Sequence, residues 1–210
     1  YGGTSERIDG VRYITNFSSG KTGFEIASQL GKIHDVDCIH SERAPIAANS
    51  FTFFSFDDLF HALQHKLGST HYDYVIHCAA VSDYLVDKVL RDDNQEVTTN
   101  GDKIASEQSL NIRLKPSFKI LSKIKQMSKN PTIKTIAFKL TDSLNDREII
   151  YAVKKIVEEG ADFVVHNELK QVQPDSHIGR IFNHQCEQIT DFSTKSELSI
   201  KINEIIQESL

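Results

Sequence analysis

Short apolar runs alternate along the chain with longer segments in which apolar residues recur at helical spacing. The short runs are rich in β-branched and aromatic residues, which is typical of buried strands, and they cover residues 37–40, 72–78, 133–138 and 162–166. Helical spacing predicts helices over residues 19–33, 57–67, 117–127, 145–159 and 194–209. Two more short runs, 178–183 and 186–189, are joined by a polar turn and predict a closing β-hairpin.

This alternation of strand and helix predicts the fold class. We expect one α/β domain over residues 1–210, with a doubly wound, Rossmann-like parallel sheet and helices on both faces. Capping patterns support two helix starts, since Asn145 precedes Glu148 by three residues and Thr194 precedes Glu197 by three. At the first helix we expect a serine cap, from Ser18 or Ser19.

Residues 84–116 break this rhythm, because they are polar, charged and only weakly periodic. They contain Asn100-Gly101, a dipeptide typical of tight turns, and they follow directly after a predicted strand. Long connections in compact domains are often lids or binding arms, and parallel sheets bind ligands beyond the carboxyl ends of their strands. We therefore interpret residues 84–116 as a protruding arm or lid that also mediates dimerisation.

Composition narrows the class of protein. A net charge of −5 without a basic patch argues against nucleic acid as a partner, and no apolar run is long enough for a membrane span. Three scattered cysteines without paired spacing favour a reducing compartment, so we expect a cytoplasmic protein. Tyr1-Gly2-Gly3 is typical of the end of a strand, and we expect an apolar strand to precede it.

The opening 23 residues, YGGTSERIDGVRYITNFSSGKTG, contain two glycine-rich turns. A turn of this kind before a helix presents backbone N–H groups and the positive end of the helix dipole to an anion such as phosphate, and Lys21 adds a cation. The spacing fits neither a Walker loop, which would need glycine at Thr15, nor the GxGxxG fingerprint. By spacing alone, a phosphate site and a polar loop with a capped helix remain equally open.

The stretch GGTSERIDGVRYITNFSSGKTG resembles the opening signature of the phosphopantothenoylcysteine synthetases, also called phosphopantothenate–cysteine ligases. Further family segments are matched in order by HCAAVSDY (77–84), KIASEQ from Lys103, LKPSFKIL (114–121), IAFKLTDS (136–143) and GADFVVHNEL (160–169). The resemblance spans essentially the whole chain. Departures from the decarboxylase-fused form, such as Ala105 in place of a second lysine, are similar to the stand-alone bacterial form.

The resemblance implies a ligase of coenzyme A biosynthesis. Such an enzyme joins 4′-phosphopantothenate to L-cysteine through an acyl-nucleotidyl (acyl-CMP) intermediate and releases pyrophosphate. It implies CTP or ATP as the co-substrate and favours CTP, and it also implies Mg²⁺ with the nucleotide and a homodimer. Both steps bring anions together, so positioning and charge stabilisation are expected to dominate catalysis.

The resemblance also implies roles for individual residues. Asn16 holds the acyl-nucleotidate, Lys103 closes over the site from a loop, and Arg12 supports the substrate or the nearby architecture. Nucleotide-binding residues implied in the same way are Gly3, Ser19, Gly20, Ala79, Ala80, Asp83 and Phe138; no metal ligand is assigned. Without the resemblance, Asn16 is an ordinary turn former, Arg12 and Lys103 are solvated charges, and Asp83 is a cap.

Two other functions stay open at this point. Tyr84 and Lys88 have the YxxxK spacing of the catalytic pair in nicotinamide-dependent short-chain dehydrogenases. In those enzymes, however, the pair normally lies on a helix far downstream of the strand that Tyr84 follows directly here. A non-catalytic nucleotide-binding module is the second alternative. His61 and His65 have the i, i+4 spacing of metal ligands, but Ala62 stands where a zinc protease needs glutamate, so a solvated helix face is favoured.

Overall fold

The computed structural model describes residues 1–93, 95–97, 103–105, 109–142, 145–172 and 176–209. The helices are α1 (Lys21–Leu30), α2 (Phe56–Ser69), α3 (Leu121–Met127), α4 (Asp146–Glu158) and α5 (Lys195–Ser209). The strands are β1 (Gly2–Gly3), β2 (Ser5–Arg7), β3 (Tyr13–Thr15), β4 (Cys38–Ser41), β5 (Ser50–Phe53), β6 (Tyr74–His77), β7 (Ala79–Ala80), β8 (Tyr84–Arg91), β9 (Leu110–Pro116), β10 (Lys134–Thr141), β11 (Phe163–Val172), β12 (His177–Asn183) and β13 (Gln188–Phe192).

The largest sheet has the strand order β13-β12-β11-β10-β6. Its strands β6, β10 and β11 run parallel, which confirms the predicted α/β class. β12 and β13 extend it as an antiparallel edge and confirm the predicted closing hairpin. Cys186, predicted to begin the second strand of that hairpin, lies in its turn with a φ of 63° instead.

The central strands separate two apolar cores, because successive side chains of a strand point to opposite faces. In β10, Ala137 belongs to the core beneath α2, α3 and α4, whereas its neighbour Ile136 belongs to the core beneath α1 and α5. β11 repeats this alternation with Val164 and Val165. Helices therefore cover both faces of the sheet, as predicted.

The first three residues connect β4 to the carboxyl end of β6. The backbone nitrogen of Tyr1 donates to the carbonyl of Ile39 (2.6 Å), and the Tyr1 carbonyl accepts from the amide of Ser41 (2.9 Å). β1 then pairs in parallel with β7, just beyond β6. A cavity of about 670 Å³ lies between β4 and β6. The glycine turn after Tyr1 thus sits at the carboxyl ends of two strands, where parallel sheets bind ligands. The strand expected before Tyr1 stays a prediction.

The arm begins and ends as an antiparallel ribbon, in which Tyr84 in β8 lies opposite Pro116 in β9. Hydrophobic periodicity did not predict these two strands. Apolar and polar residues do alternate in β9 from Leu110 to Lys115, but the polar and charged composition of residues 84–116 as a whole obscured that signal. The predicted Asn100-Gly101 turn lies outside the described residues. Of the helices that the structure describes, none has the length and apolar composition needed to cross a membrane.

Candidate active site

Three of the expected site residues meet where β1 pairs with β7. The carbonyl oxygen of Ala80 accepts hydrogen bonds from the backbone amide of Thr4 (3.1 Å) and from Nδ2 of Asn16 (2.9 Å). A Cβ added at Gly3 would lie 3.0 Å from the Asn16 carbonyl oxygen, so glycine allows the two segments to approach closely. The Asn16 side chain is therefore oriented by the backbone of the neighbouring strand.

The segment after β7 is tied to the same turn. The amide of Ser82 donates to Oγ1 of Thr4 (2.8 Å), while Ser117 donates from Oγ to the Ser82 carbonyl (2.7 Å) and from its amide to the Asp83 carbonyl (2.9 Å). Oδ1 of Asp83 accepts a 2.6 Å hydrogen bond from Nζ of Lys119, which raises the pKa of that lysine. Because Ser117 is held in this way, the helix predicted from residue 117 begins only at Leu121.

The guanidinium of Arg12 makes hydrogen bonds to Asp9 and to the backbone of Ile104. Its Nε and Nη2 donate to Oδ2 of Asp9 (2.8 and 2.5 Å), and Nη2 also donates to the carbonyl of Ile104 (2.7 Å). The amide of Ile104 in turn donates to Oδ2 of Asp9 (3.0 Å). These hydrogen bonds, led by that from Arg12, hold the pKa of Asp9 well below its usual range despite its burial. Arg12 therefore contacts the backbone directly beside Lys103.

The N-terminus of α1 differs from the prediction of a serine cap. Gly20 is the N-cap, with a φ of 70°, and the structure describes no side-chain cap for it; Oγ of Ser19 lies 3.5 Å from the Lys21 amide, which is long for a hydrogen bond. A Cβ at Gly20 would lie only 2.4 Å from Cβ of Ala44, which explains why glycine occupies the cap. The first turn of α1 therefore begins at Lys21 with no acidic residue and no described side-chain cap for its backbone amides.

Phe138 lies elsewhere on the sheet. It stands in β10 opposite Val165, one residue beyond the last pairing of β10 with β6, and is half-buried against the core beneath α1 and α5. The apolar residues that it packs against belong to that core. The structure thus brings most of the expected residues to one sheet edge but does not show Phe138 in contact with them.

A buried polar group near the ends of β10 and β11 was not among the expected site residues. Nε2 of His166 and Oγ1 of Thr141 are 2.8 Å apart, and burial, with the charges of Arg180 and Lys139, lowers the pKa of His166 to about 4. The imidazole is therefore neutral at physiological pH. The sequence signal was a polar pair, His166-Asn167, directly after an apolar run.

Two alternative sites fail on geometry. Tyr84 and Lys88 lie on the strand β8, where four residues span about 13 Å, so the two side chains are too far apart to act as the pair of a dehydrogenase. Lys88 instead pairs with Glu96 through a 2.7 Å contact. His61 and His65 are exposed on α2, and within the described part of the chain no group of three or more His, Cys, Asp or Glu side chains is placed to hold a metal.

Comparisons with known proteins agree with this geometry. The model of the family described as DNA/pantothenate metabolism flavoprotein C-terminal domain matches residues 1–210. The chain is 31% identical over 218 residues to the coenzyme A biosynthesis bifunctional protein CoaBC of Thermococcus kodakarensis, an alignment that covers 100% of this chain and 50% of that protein. It therefore spans about half the length of the curated relatives that it matches.

Two solved structures are similar in fold. The DNA/pantothenate metabolism flavoprotein from Streptococcus pneumoniae superposes with a TM-score of 0.85 at 28% identity, covering 100% of this chain and 96% of that one. A Cab2 mutant in complex with phosphopantothenate-cysteine superposes with a TM-score of 0.70 at 18% identity, covering 99% and 83%. The second likeness is one of fold alone.

Proposed function

The chain belongs to the family of the DNA/pantothenate metabolism flavoprotein C-terminal domain, and from this membership we propose that it is a phosphopantothenate–cysteine ligase of coenzyme A biosynthesis. The enzyme would join the carboxylate of 4′-phosphopantothenate to the amine of L-cysteine. A nucleotide first converts the carboxylate into an acyl-nucleotidyl anhydride and releases pyrophosphate. The amine of cysteine then displaces the nucleoside monophosphate.

One observation of the site supports the proposal: Asn16 is fixed by Ala80 beside Gly3, at the carboxyl ends of parallel strands. Nδ2 of Asn16 donates its hydrogen bond to the Ala80 carbonyl. The side-chain oxygen of Asn16 accepts no hydrogen bond within the described residues, so it is available to a substrate group. We assign Asn16 to holding the acyl-nucleotidate during attack by the amine. An oriented amide suits this task because the second step depends on positioning.

The nucleotide would lie between α1 and β7. Its triphosphate would meet the backbone amides of Ser19 and Gly20, just before the first turn of α1, where Lys21 adds positive charge. Packing places this helix end beside Tyr1, because a Cβ at Gly20 would lie 3.2 Å from the Tyr1 ring. The nucleoside would follow the small side chains of Ala79 and Ala80, with Asp83 near its ribose and Phe138 farther along the sheet.

Lys103 would offset negative charge that accumulates when the anhydride forms. Its side chain is exposed, while the next residue, Ile104, is buried and hydrogen-bonded to Asp9 and Arg12. A cation in a water-poor site acts most strongly where charge develops in the transition state. We therefore assign Lys103 mainly to the first half-reaction.

Similarity to the stand-alone bacterial form favours CTP over ATP as the co-substrate. We propose that Mg²⁺ arrives with the nucleotide and is held mainly by phosphate oxygens, since the described residues offer no group of three metal-binding side chains. Bound there, the ion would neutralise phosphate charge. The protein's own contribution is to place the phosphates at α1 and the carboxylate at Asn16.

We also propose that the chain is a cytoplasmic homodimer joined through residues 84–116. The ribbon of the arm exposes large apolar side chains: Tyr84 is 59% exposed, Leu114 43% and Ile112 37%. A second copy of the arm would cover them. Sedimentation equilibrium at micromolar concentration tests this, and a fully active monomer would contradict it.

Pyrophosphate release is the direct test of the activity. We expect release with CTP and phosphopantothenate, less or none with ATP, and product formation only when cysteine is added. Asn16→Asp should accumulate acyl-nucleotidate, and Lys103→Gln should slow its formation about a hundredfold at an unchanged melting temperature. Nucleotide binding without pyrophosphate release would instead indicate a non-catalytic module.

A further inference from the structure

We propose that Asp9 is a positioning residue for Lys103 and acts through Arg12 and the backbone of Ile104. The inference rests on the proposed ligase function and deepens it, because it says what fixes the catalytic lysine. It also gives Arg12 a definite task, which is to hold the chain beside Lys103 and not to bind substrate.

The carboxylate of Asp9 connects two parts of the chain that are 95 residues apart. Oδ1 accepts from the amides of Val11 (2.9 Å) and Arg12 (2.7 Å), which closes the turn between β2 and β3. Oδ2 accepts from the Arg12 guanidinium and from the amide of Ile104 (3.0 Å). The side chain of Asp9 is 0% exposed, so both oxygens are fully committed to these five hydrogen bonds.

Arg12 completes the connection from the other side. Its Nη2 donates to Oδ2 of Asp9 and to the carbonyl of Ile104, so that both the N–H and the C=O of Ile104 are held. Ile104 itself is only 7% exposed. We call these contacts among Asp9, Arg12 and Ile104 the clasp. A residue held at both backbone polar groups and by its side chain fixes the backbone position of its neighbour, Lys103.

The clasp is close in the chain to Asn16, because Asp9 and Arg12 lie in the turn between β2 and β3 and Asn16 directly follows β3. β3 ends at Thr15, Asn16 follows at once, and the Asn16 amide binds Ala80. The clasp therefore fixes the origin of the Lys103 side chain relative to the residue assigned to hold the acyl-nucleotidate. Misplacing a catalytic group by about 1 Å can cost about a hundredfold in rate, which makes this coupling measurable.

A double-mutant cycle tests whether Asp9 acts through Lys103. We expect Asp9→Asn to lower kcat about ten- to a hundredfold with little change in nucleotide Kd, and to cause almost no further loss in the Lys103→Gln background. Equal fold losses in both backgrounds would show that Asp9 does not work through the lysine. If Asp9→Asn fails to fold, Arg12→Lys, which keeps the charge but not the paired donors, enters the same cycle with the same criteria.

Hydrogen exchange at the Ile104 amide tests the clasp without any ligand. We expect Asp9→Asn, and Arg12→Lys to a lesser degree, to accelerate that exchange. Asp37→Asn serves as the matched control, because its carboxylate binds Lys66 and Tyr72 at the amino end of β4. Unchanged exchange in both clasp variants would overturn the clasp even in an active ligase. A protein with no ligase turnover would refute the proposed function and leave the exchange result to decide the clasp.

Discussion

The N-termini of α1 and α2 are built in opposite ways. At α2, the hydroxyl of Ser55 accepts from the Asp58 amide (3.1 Å), and Oδ2 of Asp58 accepts from the Ser55 amide (2.8 Å), so the helix caps itself with its own carboxylate. At α1 the cap is Gly20, no side-chain cap is described, and the first turn carries Lys21 and no acidic residue. α4 follows the pattern of α2, with a capping box from Asn145 and Glu148.

The difference separates helix ends that serve the fold from one that can serve a ligand. In α2 and α4 the chain supplies both the hydrogen-bond acceptors and the negative charge that a helix N-terminus favours. In α1 neither is supplied by a side chain within the described residues, although serines stand at positions 18 and 19. An incoming phosphate can provide both. The comparison predicts that equivalent changes at the two ends affect different properties.

The largest effect is expected where a side chain is forced onto the cap of α1. Gly20→Ala places a Cβ 2.4 Å from Cβ of Ala44 at a left-handed φ, so we expect a loss of about 2–4 kcal/mol in the free energy of unfolding. Urea unfolding measures it. Adding Ala44→Gly removes the overlap and should recover part of the loss, leaving about 1–2 kcal/mol from backbone strain. A fully stable single variant would contradict this account of the cap.

Charge reversal at the first position of α1 is expected to act on binding. Lys21→Glu gives α1 an acidic first turn like that of α2, which repels phosphate, so we expect CTP affinity to fall about ten- to a hundredfold, or about 1.4–2.7 kcal/mol. Titration calorimetry measures the Kd. The mirror variant Asp57→Lys, on the first turn of α2, should leave it unchanged. Equal affinities for wild type and Lys21→Glu would place the phosphates elsewhere.

Replacing one serine by alanine at each helix N-terminus should have smaller effects, which again differ between α1 and α2. Ser55→Ala removes the cap of α2 and should cost about 1 kcal/mol, which lowers the melting temperature by about 2–4 °C at this chain length, without changing nucleotide affinity. Ser19→Ala should leave the melting temperature unchanged, because the only described hydrogen-bond contact of the hydroxyl is the 3.5 Å one to Lys21. It should weaken CTP binding severalfold, because it removes a hydroxyl that would donate to the triphosphate while the backbone amide stays. An equal fall in melting temperature for Ser55→Ala and Ser19→Ala would contradict the proposed difference between the two helix N-termini.

Much of the fold could be predicted because its signals are local. The parallel strands β6, β10 and β11 are β-branched runs, and the capping box at Asn145 formed as its spacing predicted. At α5 only half of the predicted box formed: Thr194 accepts from the Glu197 amide, but the Glu197 carboxylate accepts from Ser193. The ribbon of β8 and β9 was missed because residues 84–116 were interpreted as one polar segment, although Leu110, Ile112 and Leu114 of β9 alternate with polar residues.

The site was predictable only in part, because its contacts join distant segments. Asn16, Lys103 and Ala80 were indicated by resemblance, and the structure shows directly why Asn16 is oriented, through its bond to Ala80. Asp9 was missed, although its spacing of three from Arg12 was a local signal for a paired turn. Its contact with Ile104 across 95 residues leaves no trace in periodicity or spacing.

The smallest predicted effect concerns pH and again distinguishes the two helix ends. Partial burial opposes ionisation of Asp58, but hydrogen bonds from Ser55 and Phe54 outweigh it and lower its pKa in the folded state. Its contribution to stability is therefore complete above the unfolded pKa of about 3.9 and is lost as pH falls through the folded pKa. Asp58→Asn should thus cost a few tenths of a kcal/mol at pH 7 and progressively less as the pH falls below about 4, measured by guanidinium unfolding. The side chain of Asp57 makes none of the described cap hydrogen bonds, so Asp57→Asn should show no such pH dependence. The first turn of α1 contains no carboxylate, so no corresponding variant exists at that helix.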